Sequence, residues 1–175
     1  MINITLKDDS VKQYSEETSV ISIAKDISEG LARNVISAKF NDKVVEVNSM
    51  INEDGKLEFY TWDNDEGKNA FWHSSSHVMA QSIQELFPAV KLTIGPAINS
   101  GFYYDIDLGS HKISESDFDK IESRMLEICR EKHDFNLRPV SKKDAIKFYK
   151  EEDNDYKLEL INDLKDNEIT FCDHS

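Results

Sequence analysis

Short runs in which apolar and polar residues alternate fill the first part of the chain. Ile2, Ile4 and Leu6 alternate with polar neighbours, a pattern that predicts a half-buried strand. Turn-forming residues separate this run from further predicted strands at 11–14, 35–40, 43–47 and 57–62. One helical pattern, with Ser19 as its candidate N-cap, lies between the second and third strands. This order of elements predicts a ubiquitin-like β-grasp domain at 1–62.

Beyond this domain the spacing of apolar residues becomes helical. The polar segment 63–69, which contains Gly67, predicts a linker between two domains. The stretch 71–88 predicts a helix that ends before Pro88, because proline disfavours the α conformation of the residue that precedes it. The elements predicted after it are strands at 90–94, 102–108, 135–140 and 169–172 and helices at 114–132, 141–149 and 156–164. Together these elements predict a second domain, of the α+β class, at 70–175.

The first candidate for chemistry is a pair of histidines in the helix 71–88. His73 and His77 are four residues apart, so their imidazoles are neighbours on one helical face, beside the apolar stripe. That placement suits the floor of a pocket. It equally suits surface histidines, or core histidines with satisfied ring nitrogens, and an isolated H-x-x-x-H motif favours this structural interpretation by about two to one. The motif differs from that of zinc proteases, which need a glutamate where Ser74 stands.

Charge and composition narrow the class of protein. The 175 residues carry a formal net charge of −13, which argues against a general nucleic-acid-binding surface. A pocket that takes only the end of a nucleic acid stays possible. No apolar run is long enough to span a bilayer and no signal peptide is recognisable, so we expect a cytoplasmic protein with no membrane partner. Cys129 and Cys172 are then expected to be reduced, Cys129 as a buried small residue on the apolar face of the helix 114–132.

Three motifs follow the predicted β-grasp domain, and their combination is specific. They are His-Ser-Ser-Ser-His at 73–77 with Gln-Glu-Leu-Phe-Pro at 84–88, Leu-Thr-Ile-Gly-Pro at 92–96, and Asn-Ser-Gly-Phe-Tyr-Tyr-Asp at 99–105. In this order they resemble the N-terminal half of bacterial threonyl-tRNA synthetases. The resemblance implies that 1–62 is a TGS domain. It also implies that 70–175 is an editing domain of the threonyl/alanyl-tRNA synthetase type, truncated at its C-terminus.

The resemblance also implies a set of site residues. The editing pocket of this family combines H-x-x-x-H with a later C-x-x-x-H, and His73 and His77 match the first part. The second part is absent, because the stretch that starts at Cys172 has the spacing C-x-H and matches the strand that precedes the missing motif. Tyr104 and Lys157 match positions that line the family's pocket. Without the resemblance we would interpret them as a core tyrosine and a solvated lysine.

The function implied by the resemblance is that of a threonine–tRNA ligase, a class II aminoacyl-tRNA synthetase of translation. Its editing domain hydrolyses mischarged Ser-tRNA(Thr), with the 3′ end of tRNA(Thr) in the pocket and His73, His77 and Lys157 as the catalytic candidates. The aminoacylation core, to which the resemblance assigns ATP, Mg²⁺ and Zn²⁺, is missing from this chain. We therefore expect no cofactor in the chain and little or no activity from it alone. The other implied partners are the rest of the synthetase and a second copy, bound through absent C-terminal domains.

Two alternatives stay open at this stage. The chain could be a non-catalytic module in which a TGS domain that binds tRNA or protein is joined to a degenerate editing domain. The histidines and Cys172 could instead form a zinc set. Editing domains of the alanyl type contain residue sets that resemble zinc sites, whereas the resemblance to the threonyl type implies a metal-free pocket. We therefore expect no metal here.

Overall fold

The computed structural model describes residues 1–133 and 135–174, which divide into two units. The first unit comprises Met1–Ser74 and Ala97–Gly101, and the second comprises Ser75–Pro96 and the chain from Phe102 onwards. Both units combine helices with strands, which confirms the predicted α+β class.

The first unit contains a five-stranded sheet and two helices that follow one another. Its elements are β1 Ile2–Thr5, β2 Val11–Tyr14, β3 Thr18–Ser19, α1 Val20–Ile27, α2 Glu29–Asn34, β4 Ser37–Phe40, β5 Lys43–Val45, β6 Met50–Ile51 and β7 Gly55–Tyr60. The strand order is β2-β1-β7-β4-β5, with β1 antiparallel to β2 and parallel to β7. This central parallel pair, with a helix in the connection between its hairpins, confirms the β-grasp prediction.

The core of the first unit lies between the sheet and α1. Ile4, Ile23 and Leu57 are fully buried in one apolar cluster, so β1, α1 and β7 contribute to the same core. The alternation noted in the sequence accounts for this, because every second residue of a strand points to the same face. Ser19 caps α1 as predicted, its hydroxyl accepting a hydrogen bond of 3.3 Å from the Ser22 amide.

The helix that carries the histidines begins earlier than predicted. This helix, α3, spans Asp65–Leu86, so the segment 63–69 predicted as a linker is helical from Asp65. Gly67 is there because of a close approach: a Cβ at this position would lie 2.0 Å from the Thr61 carbonyl oxygen. Asn64 closes the turn before the helix, accepting a 2.9 Å hydrogen bond from the Thr61 amide through its side chain. The glycine therefore allows the chain after the strand to pack closely against the helix, whereas the sequence pattern predicts a linker at this position.

The second unit is built around the remainder of α3. Its further elements are β8 Lys91–Leu92, β11 Ile106–Asp107, α4 Glu115–Glu131, β12 Phe135–Pro139, α5 Lys142–Glu151, α6 Asp155–Asp163, a 3-10 turn Asp166–Glu168 and β13 Thr170–His174. Two short strands come between β8 and β11 in the chain: β9 Ala97–Ile98, which belongs to the first unit, and β10 Gly101–Phe102. The strand predicted at 102–108 is wrong in its middle, because β10 and β11 are separate. No helix in the described part of the chain is both long and apolar enough to cross a membrane.

Polar side chains join α4 to α3. The buried Ser82 hydroxyl donates a 3.0 Å hydrogen bond to the Ile121 carbonyl, and Arg124 forms an ion pair with Glu85. Helix α4 starts with the predicted capping box, in which the Asp117 carboxylate accepts from the Ser114 amide at 3.0 Å. Ile121 and Ile128, which recur at helical spacing in the sequence, are buried as that spacing predicts.

The prediction for Cys129 was wrong. The thiol is exposed, next to the buried Ile128 on the following helical position. Phe118, which we placed on the same apolar face, is 58% exposed. The apolar stripe of α4 is wider than the surface it covers, and periodicity alone does not say which edge of a wide stripe faces the core.

The last elements form a small layer of their own. β12 and β13 pair antiparallel, with Leu137 opposite Cys172, and α5 and α6 pack on them through the buried residues Ala145, Ile161 and Ile169. The side chain of Lys142 in α5 donates 2.8 Å hydrogen bonds to two carbonyls at the end of α6. These bonds satisfy acceptors that a helix end leaves open.

Candidate functional site

Helix α3 is continuous through the H-x-x-x-H motif, so the two histidines are one turn apart. Their environments differ. His77 is half-buried in the second unit, with its ring centroid 6.0 Å from that of Phe135 in β12. His73 is exposed and belongs to the first unit. Packing therefore contributes to the environment of His77, whereas His73 is an exposed residue.

The buried face of α3 contains polar residues that the sequence analysis did not expect. Ser76 and Ser82 are 2% and 0% exposed, beside Val78, Ala80 and Ile83. Small side chains on this face let neighbouring elements approach the helix closely. The predicted stripe placed Leu86 at the core, but that residue is 37% exposed. The prediction of the buried face rests on the large apolar residues of the helix alone, so the predicted face differs from the observed one, which includes small residues.

Tyr104 is held in place by a glycine. Its ring lies against Gly95, where a Cβ would come within 2.1 Å of the ring carbon Cδ2. The residue is half-buried, and burial, with the neighbouring Tyr149 as a lesser cause, raises the pKa of the Tyr104 hydroxyl. The phenol therefore stays neutral and can donate a hydrogen bond over the physiological pH range.

Lys157 lies in the first turn of α6 and is half-buried. Burial lowers the pKa of its ammonium group below the ordinary 10.5. Within the described residues, this ammonium has neither an ion-pair partner nor a hydrogen-bond acceptor. A desolvated and uncompensated charge costs folding free energy, and such groups are concentrated at functional sites.

Asn154 positions the turn that carries Lys157. Its side-chain oxygen accepts a 3.1 Å hydrogen bond from the Lys157 amide, and its side-chain nitrogen donates a buried 3.1 Å hydrogen bond to the Leu92 carbonyl. Leu92 is three residues before Gly95, so one side chain ties the start of α6 to the segment under Tyr104. We did not single out Asn154 from the sequence, and Gly95 entered only as part of the motif at 92–96. The N-cap preference for asparagine was the available signal for the first.

Three of the four predicted site residues thus share the second unit: His77, Tyr104 and Lys157. His73 does not. Cys172 is half-buried in β13, and the side chain of His174 lies outside the described residues. Within the described residues, no group of three or more His, Cys, Asp or Glu side chains could hold a metal ion. The chemistry available in this unit is that of an imidazole, a phenol and a desolvated ammonium.

Comparison with known proteins agrees with the architecture. The protein-family model of the TGS domain matches residues 2–61, the part of the chain that forms the β-grasp sheet. The chain is 58% identical over 175 residues to the threonine–tRNA ligase of Flavobacterium psychrophilum, a match that covers 100% of this chain and 27% of that protein. It is 46% identical over 169 residues to the threonine–tRNA ligase of Caldanaerobacter subterraneus, covering 96% and 26%.

The β-grasp sheet and this family match make residues 2–61 a TGS domain. Over its whole length, the chain is homologous to the N-terminal part of threonine–tRNA ligases, which are aminoacyl-tRNA synthetases of translation. It spans about a quarter of the length of the curated relatives it matches, 27% in the case of the Flavobacterium protein.

Proposed function

We propose that the chain acts within a threonine–tRNA ligase as its editing part, which hydrolyses Ser-tRNA(Thr). Serine lacks one methyl group of threonine, and one methyl(ene) in a pocket is worth only about 1–3 kcal/mol of discrimination. A second site that accepts and hydrolyses the smaller product supplies the remaining selectivity. The domain bounds 1–62 and 70–175 are part of this proposal.

The observation that carries the proposal is the state of Lys157. An ester hydrolase must stabilise the negative charge that develops on the carbonyl oxygen, and a fixed cation in a desolvated setting does this better than one in water. Lys157 is half-buried and unpaired within the described residues, and Asn154 fixes its backbone. A purely structural lysine would gain stability from a carboxylate partner or from full exposure.

The other roles follow from the environment of each side chain. His77 is half-buried, and an imidazole can accept a proton at physiological pH, so this residue is our candidate to orient a water molecule and receive its proton. Tyr104 donates a hydrogen bond to the substrate or to this water. His73, which is exposed, contacts the incoming tRNA end. No metal enters the proposed reaction.

The rest of the proposed enzyme lies outside this chain. Aminoacylation would use ATP, Mg²⁺ and Zn²⁺ in a catalytic core whose sequence the chain does not contain, and dimerisation would use other domains. We propose a cytoplasmic location for the whole protein. The net charge of −13 restricts tRNA contact in this part to the 3′ end.

The test uses the full-length ligase with the substitutions His77→Ala, His73→Ala and Lys157→Met. Hydrolysis of isolated Ser-tRNA(Thr) is expected to fall about a hundredfold for His77→Ala and Lys157→Met, while threonylation stays unchanged. Lys147→Met is the matched control, because that lysine on α5 is exposed and forms a surface ion pair with Glu151 at 4.0 Å. Undiminished hydrolysis in the first two variants would remove these residues from the mechanism. The 175-residue chain alone is expected to hydrolyse slowly or not at all, and a normal rate would refute the incomplete site.

One observation favours a second candidate function. His73 is exposed and lies in the other unit, as expected if the motif is degenerate and the chain only binds tRNA or protein. In that case the full-length ligase would leave Ser-tRNA(Thr) intact, and no variant would change the rate. The hydrolysis assay therefore separates the two candidates.

A further inference from the structure

A cavity of about 480 Å³ lies within the second unit beside α6, and its lining includes none of the residues proposed for hydrolysis. One side is formed by the backbone around β8 and β11 and the other by α6. Its apolar lining is aliphatic and open to solvent: Ile94 is 44% exposed and Leu160 is 36% exposed, with Ile106 between them in the lining. Clefts of several hundred Å³ with an apolar lining are typical of binding sites.

Four carboxylates line the same cavity, and no lysine or arginine does: Asp105, Asp107, Glu159 and Asp163. Asp107 is fixed, because its carboxylate accepts hydrogen bonds of 2.8 Å from the Tyr156 hydroxyl and from the Gly109 amide, which lower its pKa. The other three carboxylates have no ion-pair or hydrogen-bond partner within the described residues. The acidic aliphatic groove, as we call this cavity, therefore offers negative charge next to exposed aliphatic surface.

The walls of the groove are already ordered without a partner. The Thr93 hydroxyl and amide donate to the Asp105 carbonyl at 2.6 and 3.0 Å, and the Asp105 amide donates to the Ile94 carbonyl at 2.9 Å. The Tyr156–Asp107 bond joins α6 to this backbone. Binding to a preformed groove avoids much of the ordering cost that a mobile surface would incur.

Charge decides what kind of partner this groove fits. A nucleic acid would bring phosphates towards three unpaired carboxylates, which is unfavourable. A second copy of the chain carries the same net charge of −13, so its approach to the carboxylates is opposed by overall charge repulsion. We propose that the acidic aliphatic groove docks a basic segment of a partner protein, in which a leucine- or isoleucine-like side chain fills the cavity and flanking lysines or arginines pair with Asp105, Glu159 and Asp163. The inference does not depend on hydrolysis.

The experiment uses the 175-residue chain and a synthetic twelve-residue peptide of alternating lysine and leucine. Calorimetry measures affinity, and amide chemical shifts locate the peptide. We expect weak binding with shifts concentrated at the groove residues. Glu159→Lys/Asp163→Lys should weaken binding about tenfold or more, because it removes two carboxylates at the cavity. Leu160→Asn, which keeps the charge, should also weaken binding.

The matched control is Asp119→Lys/Glu122→Lys on the exposed face of α4, which changes the net charge equally at a distant place in the sequence and leaves the groove intact. It should change affinity less than about twofold. Equal weakening by both double variants would show attraction to net charge alone and would overturn the proposal. So would the absence of binding, an unchanged affinity for Leu160→Asn, or groove shifts induced by an RNA hairpin. His77→Ala should leave peptide affinity unchanged, which separates this inference from the proposed editing function.

Discussion

The two units differ in where their polar side chains lie and in what those side chains bond to. In the first unit the ion pairs are at the surface, as between Lys12 and Asp26, and the core is a single apolar cluster. In the second unit the buried polar side chains include Ser82, Asp117 and Asn154, each with a hydrogen bond that joins or caps elements. The first arrangement favours stability, whereas the second sets the position of particular groups. The proposed chemistry lies in the unit that is held together by polar contacts.

Of the substitutions that test this difference between the units, Leu57→Ala should change the free energy of unfolding most. Leu57 is fully buried in the β-grasp core, and removing it should lower the free energy of unfolding of the first unit by about 3 kcal/mol. Both tryptophans of the chain, Trp62 and Trp72, lie in that unit, so fluorescence-monitored urea unfolding reports on it directly. Leu126→Ala in α4, 52% exposed, should cost less than about 0.5 kcal/mol in the second unit. Similar losses in both would mean that the first unit does not depend on its single core.

Gly67→Ala should destabilise the first unit by about 2 kcal/mol, because the added methyl would collide with the Thr61 carbonyl. Gly30→Ala in α2 is the control. Its new methyl would have Ser28 Oγ as its nearest neighbour at 3.8 Å, and alanine is favoured in helices, so a gain of about 0.5 kcal/mol is expected. Urea unfolding of both variants gives the measurement. A neutral Gly67→Ala would show that the segment is a loose connection after all.

The stability of the second unit should depend on pH through Lys157. Burial lowers the pKa of the Lys157 ammonium in the folded state below its ordinary value of 10.5. At pH values between the folded-state pKa and 10.5, the unfolded state therefore binds more protons than the folded state. The free energy of unfolding should therefore rise with pH across that window. In Lys157→Met this rise should be smaller, and in Lys147→Met it should match the wild type. Amide exchange of α6, measured at several alkaline pH values, reports the difference. Identical slopes in all three proteins would contradict the desolvated ammonium.

Asp117→Asn should have the smallest effect. Hydrogen bonds from Ser114, the largest cause, lower the pKa of the Asp117 carboxyl to about 2. Because the folded-state pKa is depressed, this contribution to stability is present above the ordinary value of 3.8 and is lost as pH falls towards 2. Acid unfolding of Asp117→Asn, followed by circular dichroism, should start from a lower stability at neutral pH and lose less of it over that window. Parallel acid transitions would contradict this capping role.

Local patterns predicted the first unit well because its strands alternate and its turns carry asparagine, aspartate and glycine. The β-grasp order, the Ser19 cap and the short hairpin at Asn41 are consequences of such nearest-neighbour preferences. The start of α3 at Asp65 was missed because Gly67 is ambiguous: a glycine marks either a linker or a close approach, and only the position of Thr61 distinguishes the two.

In the second unit, sequence patterns predicted the elements but less of the surface. Cys129 and Phe118 were assigned to a core that covers only part of α4. The site residues His73, His77, Tyr104 and Lys157 came from resemblance and spacing, and their roles stay predictions. The supporting roles of Gly95 and Asn154 were not predicted, because the contact of Gly95 with Tyr104 and the bond of Asn154 to the Leu92 carbonyl depend on the tertiary fold.

The reactivity of the Lys157 side chain limits how deeply this residue can be buried. An amine that loses its proton is a nucleophile, and next to an aminoacyl ester it would be acylated by aminolysis, which would block the site permanently. In the proposed reaction, the shielding of Lys157 from water must therefore stop short of neutralising it under physiological conditions. Complete burial would favour the neutral amine, so a half-buried position is the arrangement that the proposed reaction requires.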